Sequence, residues 1–181
     1  MMRRGLFRRW AGDQRGVAAV EFALLAPVLI FFYFGLAEFC QGYMAQKRMG
    51  HVSAMVADLV AQQEAVTPAG LDDIFAIGDL IMSPFPSAAL NQRVSSVTRG
   101  ADGVARIDWI YGDDLEDPGH GEGDTVTLPA DLIANGESII MSEVTYDYDS
   151  PVDHMLPAIT KFTQTNYLRP RTVEMTACAA C

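Results

Sequence analysis

From Val17 to Phe39 the chain runs for 23 residues in which only Glu21 and Glu38 are charged. Wound as an α-helix at 1.5 Å per residue, this run is about 34 Å long, enough to cross a hydrocarbon layer of roughly 30 Å. A helix bonds its own backbone, so a single segment can enter lipid without orphaned polar groups. The spacing predicts a transmembrane helix over 17–39. Pro27 lies inside it and removes one helical hydrogen bond, so a kink or loosened turn is expected near Leu24 to Pro27. Glu38 falls where the helix should emerge and calls for no special partner.

The flanking charge orients the helix. Residues 1–16 carry Arg3, Arg4, Arg8, Arg9 and Arg15 against Asp13 alone, while residues 39–181 hold 8 Lys or Arg against 20 Asp or Glu. Cationic flanks stay on the cytoplasmic side and acidic segments translocate readily. The expected organisation is a basic cytoplasmic leader (1–16), a single span of the bacterial inner membrane (17–39), an exported helical stalk (40–66) and an exported α+β domain (67–181). The arginines suit anionic headgroups. The acidic balance elsewhere excludes a nucleic-acid partner, which needs clustered cations. A cleaved secretory signal fits less well: the apolar segment is too long, and no small-x-small site precedes "CQGYMAQKRMG".

Glu21 stands about 6 Å into the apolar run, where a carboxylate is unfavourable unless it snorkels, protonates or meets a cation. One reading lets it reach the headgroups. In the other, cleavage between Gly16 and Val17 makes Glu21 the fifth residue of a mature chain whose new α-amino group is a cation. An axially offset neighbouring helix would then pair its amino terminus with this carboxylate, and Glu21 would set the assembly register.

Arg15, Gly16, the four residues Val17 to Val20, Glu21, Phe22 and then an Ala-Leu-rich run with Pro27 resemble the start of type IV pilin-like proteins. The resemblance is closest to the TadE-like family of tight-adherence (Flp-type) pilus assembly proteins, with TadF-like and TadG-like relatives sharing the pattern. It covers residues 14 to 57. It implies cleavage after Gly16 by a prepilin peptidase, a structural pseudopilin or minor-pilin role, and partners among the lipid bilayer and other pilins or pseudopilins.

Beyond Phe39, Tyr43, Met44, Lys47, His51, Met55, Leu59 and Gln62 recur at spacings of three and four, which carries the helix on toward Gln63. Lys47 and Arg48 form a second basic pair, outweighed by the five leader arginines. Thr67-Pro68 reads as the cap and first residue of a shorter helix with Leu71, Ile74, Phe75 and Ile81 on one face and "SPFPS" at its end. A hairpin is expected over 92–111, with Ala105, Ile107, Trp109 and Tyr111 alternating on one side. "SIIMSEVTYDYD" supplies a third strand, with Ile140, Ser142, Val144, Tyr146 and Tyr148 on one face, and "TVEMTAC" a fourth. The fold class expected is α+β: a long N-terminal transmembrane helix continuing as a stalk, then a short helix and a small antiparallel β-sheet.

The loop at 112–124 crowds Asp113, Asp114, Glu116, Asp117, Glu122 and Asp124 among glycines. Oxygen ligands of this kind suit calcium, but the spacing departs from the EF-hand, and a solvated acidic loop is the plainer reading; no metal is expected. His51 has no metal-like spacing to His120 or His154. Cys178 and Cys181 could form a local disulfide, leaving Cys40 over, or remain two free thiols. The "CAAC" spacing is thioredoxin-like but lacks the following helix that would depress a thiol pKa. Asp153 and His154 have no nucleophile beside them. No Walker loop, dinucleotide fingerprint or zinc signature is present, so neither an enzyme nor a cofactor nor a small-molecule substrate is expected. Besides the structural pseudopilin, one alternative remains: an uncleaved, membrane-anchored periplasmic accessory protein that binds other envelope or secretion components.

Overall fold

The computed structural model describes residues 16–113, 115, 121–129, 131–150 and 159–181. Helix α1 spans Val17–Ala61, 45 residues without interruption at Pro27. After the two-residue strand β1 (Ala65–Val66), helix α2 spans Pro68–Met82 and a 3₁₀ turn covers Ser87–Ala89. Four longer strands follow, β2 (Leu90–Arg99), β3 (Ala105–Gly112), β4 (Ser138–Asp149) and β5 (Ile159–Leu168), and then the short β6 (Ala177–Cys178). The large sheet has the order β3-β2-β4-β5, antiparallel throughout, and β6 pairs in parallel with β1. The architecture is α+β, as the sequence pattern predicted.

The two halves of α1 have different surroundings. Phe22, Leu24, Leu25, Val28 and Phe32 in the first half are exposed, and the window apolar enough to cross a membrane has no residue buried within the protein. In the second half Gly42, Ala45, Met49, Val52, Val56 and Val60 are buried. Their steps of three and four form one continuous stripe, which packs on the sheet. Ser53 Oγ, also buried, donates to Ser142 O at 3.0 Å and fixes the helix to the middle of β4. The stripe through Tyr43, Met44, Lys47 and His51 is a different one and points away from this core. Both stripes have helical spacing; the smaller side chains are those the sheet covers, because they let the backbones approach.

On the helix side of the sheet, Val94, Trp109, Ile140, Val144 and Tyr146 complete the main core. The opposite face carries a second core of Val97, Ile107, Ile139 and Met141, covered by Val126, Leu128, Leu132 and Ile133. The segment after the acidic loop is thus a strap that closes the far side of the sheet. This also shows that the Ile139 and Met141 side of β4 is apolar core at its start.

Two expectations are corrected. A β-bulge between Ser96 and Val97 pairs Ser96 with Trp109 and Val97 with Ile107, so Asp108 is the extra residue. The bulge sends Ala105 and Ile107 to the strap side and Trp109 and Tyr111 to the helix side, breaking the expected single face. Asp108 Oδ2 accepts hydrogen bonds from Ser96 Oγ at 3.0 Å and Thr98 Oγ1 at 2.6 Å, which offsets the lost ladder pairing. The fourth strand is Ile159–Leu168, not "TVEMTAC", of which only Ala177 and Cys178 pair. That stretch instead closes over the end of α1. Arg171 N donates to Ala61 O at 2.9 Å, Thr176 Oγ1 to Gln63 O at 3.2 Å, and Trp109 Nε1 to Thr176 O at 2.7 Å.

Thr67 caps α2 through its Oγ1, which accepts from Gly70 N at 3.2 Å, with Pro68 at the first helical position. The helix then runs back along α1, and Gly78 is its point of closest approach. A Cβ there would overlap Gln92 Oε1 and stand 2.9 Å from Val52 Cγ1. Gln92 Nε2 donates to Phe75 O at 3.0 Å, so the side chain that would have to yield is itself tied to α2. Alanine normally favours a helix interior by about 1 kcal/mol over glycine. Here we expect Gly78→Ala to destabilise the protein by about 1–3 kcal/mol, measured by urea unfolding in detergent; a gain in stability would contradict this packing.

Candidate functional site

The candidate site is the exposed, apolar half of α1 together with its junction to the sheet. Gly16 is the N-cap residue, with no side chain to bond the first amides, and an added Cβ there would meet nothing within 4 Å. The helix begins at Val17, and Glu21 lies one turn further on the same side. Glu21 is exposed and has no hydrogen-bond or ion-pair partner among the described residues. Val17, Phe22 and Pro27 share its surroundings, and Leu24 and Leu25 are likewise open. The start of α1 therefore presents a carboxylate on an otherwise apolar surface. Such a surface has the chemistry of a binding element. It places no base beside a nucleophile.

The junction was not legible in the sequence. Glu38 is fully buried, and Ser150 Oγ donates to its Oε1 at 2.5 Å, joining the end of β4 to the point where the apolar segment ends. Tyr148, two residues earlier on β4, has its phenol pushed above the usual range by burial first and by the Glu38 charge next. The available signal was spacing: Glu38, Gly42, Ala45 and Met49 lie on one helical stripe, and the two small residues permit a strand to pass close by.

Arg48 is also absorbed here, donating through Nη1 to Ile81 O at 2.9 Å and to Ser83 O. It satisfies carbonyls at the C-terminal end of α2, where a cation is favoured. Lys47 Nζ stands 5.4 Å from the Tyr43 ring centroid.

Other sequence candidates take structural roles or fall outside the description. His51 is exposed on α1. His120, Asp153, His154, Asp114, Glu116 and Asp117 lie outside the described residues. Of the acidic loop, Asp113 Oδ2 accepts from Gln92 N at 2.9 Å and Asp124 Oδ2 from Gly121 N at 2.7 Å, so both serve the local backbone. No cluster of three or more metal-ligating side chains occurs among the described residues. Cys178, the last residue of β6, and Cys181 are joined as a disulfide with Cα atoms 5.7 Å apart, and Cys40 is an exposed free thiol.

A cavity of about 420 Å³ opens beside Asp72, Phe75, Arg93, Tyr111 and Asp113. Its polar groups are engaged with neighbours: Tyr111 donates to Asp72 at 2.7 Å, and Arg93 pairs with Glu143 at 2.9 Å.

An apolar helix long enough to cross a membrane, whose second half is the spine of an antiparallel sheet, defines an α+β protein with an exposed apolar helical segment. Residues 16–58 match the family model TadE-like protein, a pilus-associated structural family, and the match ends inside α1 so that the sheet lies beyond it. No curated protein and no solved structure matches the chain.

The junction yields a test. Ser150→Ala removes the hydroxyl donor from a buried carboxylate and should cost about 1–3 kcal/mol, read by urea unfolding of the detergent-solubilised chain. Amide exchange at Tyr148–Ser150 should quicken with it; unchanged protection there would show that the bond does not hold β4 to α1.

Proposed function

We propose that this chain is a pseudopilin or minor-pilin-like subunit of a tight-adherence type IV pilus system, packed into its assembly through the first half of α1. In this reading the arginine-rich leader stays in the cytoplasm, residues 17–39 cross the bacterial inner membrane, and the sheet domain is periplasmic. The observation that carries it is Glu21: an exposed carboxylate one turn into an apolar helix that starts immediately after Gly16. The TadE-like match over 16–58 covers the same residues.

The physical chemistry is that of register. Cleavage by a prepilin peptidase between Gly16 and Val17 would release the Val17 α-amino group, a cation at ordinary pH. Before packing, that amine sits near the headgroups and Glu21 can reach the same layer. In an assembly, a neighbour displaced along its axis brings its amine against this carboxylate, and the two charges are desolvated together. A helix shifted by one turn would leave the carboxylate unpaired in an apolar contact, which costs several kcal/mol. The ion pair thus selects one axial offset, while the phenylalanines and leucines around it supply adhesion without direction. Gly16 suits the peptidase because it puts no side chain at the scissile bond.

The processing test is direct. Protein recovered from membranes and from sheared surface fibres should begin at Val17, and Gly16→Leu should leave a chain beginning at Met1 or Met2. An unprocessed wild-type chain would favour the uncleaved accessory protein. A second expectation concerns Glu21 itself: Glu21→Ala should be cleaved normally yet enter fibres or membrane complexes at least about tenfold less, since the partner amine loses its counter-charge. Normal incorporation of that variant would remove the register role.

A further inference from the structure

We propose that the segment from Leu80 to Ala88 is a membrane-seating lip: an uncharged edge of the sheet domain that rests in the lipid headgroup layer beside the span. This rests on the reading that residues 17–39 cross the bilayer. Three contacts fix where the lip lies. Arg48 binds Ile81 O and Ser83 O, Phe85 packs edge-on to Tyr148 with ring centroids 6.4 Å apart, and Ser150, two residues beyond Tyr148, bonds Glu38. Glu38 is at the end of the apolar run, and Arg48 is about 15 Å further along the helix. The loop after α2 is therefore held between these heights, and the headgroup layer occupies roughly the first 5–8 Å of them.

The chemistry of the loop fits that layer. No charged side chain occurs from Leu80 to Gln92, in a chain whose net charge is −10. Leu80 is 76 % exposed, the most exposed large apolar side chain outside the span among the described residues, and Ser83, Pro84, Pro86, Ser87 and Ala88 are open. The backbone is also prepared for low water activity. Ser83 N donates to Leu80 O at 3.3 Å and Phe85 N to Met82 O at 2.9 Å, while Pro84 and Pro86 have no N–H to satisfy. Lys47 and Tyr43 stand on the adjoining face of α1, a pairing suited to headgroups. Exposed Asp149, which strand alternation puts on the face of β4 opposite Tyr148, is repelled by anionic lipid. A modest tilt of α1, about 20° for an average span, then lowers the lip and Leu80 and lifts the acid.

The test uses the full chain, one copy per nanodisc, in phosphatidylcholine and phosphatidylglycerol at 7:3 with a nitroxide-headgroup lipid. Bimane is attached through Ser87→Cys in a Cys40→Ser background, with Ala101→Cys in the distal hairpin turn and Phe32→Cys in the span as references. We expect Ser87 quenching at least threefold above Ala101, and a fall by at least half when Leu80→Asp and Ala88→Asp are added. Both added positions are exposed, so the fold tolerates the change. Phe32 should be quenched by an acyl-chain nitroxide in every sample. Ser87 quenching no greater than at Ala101, or unaffected by the two acids, with Phe32 still quenched, overturns the lip and leaves the span standing. An unquenched Phe32 overturns the span and the lip with it. Shielding of position 87 that occurs only in discs loaded with two chains assigns the edge to a second copy and overturns the lipid assignment.

Discussion

The structure depends on one packing event: the second half of α1 laying its small-residue stripe against the sheet. Met49, Val52, Val56 and Val60 are almost wholly removed from solvent, each burial contributing on the order of 1.5–3 kcal/mol. The sheet cannot form its core without that helix, since the helix-side residues of β2, β3 and β4 have no other cover of comparable extent. The helix in turn gains a fixed rotation from Ser53 on Ser142 O and a fixed end from the C-terminal segment. One face of a continuous helix is thereby committed inside the protein while the half before it remains open.

That division makes α1 a mechanical link. Because the α-helix is unbroken from Val17 to Ala61, a rotation imposed on its first half reaches the sheet, and the Glu38–Ser150 bond sits where the two halves meet. Arg48 extends the same connection to α2 through carbonyls that a helix end would otherwise leave unsatisfied. At the junction Glu38 is bonded to Ser150 and Arg48 to carbonyls of α2, while Asp149 beside them is exposed. The acidic residues that dominate the composition are elsewhere in large part, many of them bonding backbone amides and hydroxyls in turns.

The candidate site was read from residues 16 to 27 alone because its chemistry is linear: a glycine, four apolar residues, an acid and a proline are all within three helical turns. The junction could not be read in that way. Glu38 and Ser150 are 112 residues apart, and nothing in either local sequence indicates the other. The spacing from Tyr43 to Gln62 carried the helix to within two residues of its observed end at Ala61 but did not say which face packs, since any helix with mixed residues offers more than one line of spacing three and four and the partner decides between them. The hairpin faces failed at Asp108, where a single extra residue reverses every position before it.

By itself the sequence determined the long apolar helix, the capped second helix and three of the four main strands. Each is set by local periodicity or by residues adjacent in the chain. Only the tertiary structure decided which face of α1 is core, where the fourth strand lies, that the segment around Leu128 closes the far side of the sheet, and that a buried carboxylate ties the sheet to the membrane-length helix. These features are contacts between residues far apart in sequence, and their energy comes from the shape and unmet hydrogen bonds of a partner surface that exists only after folding.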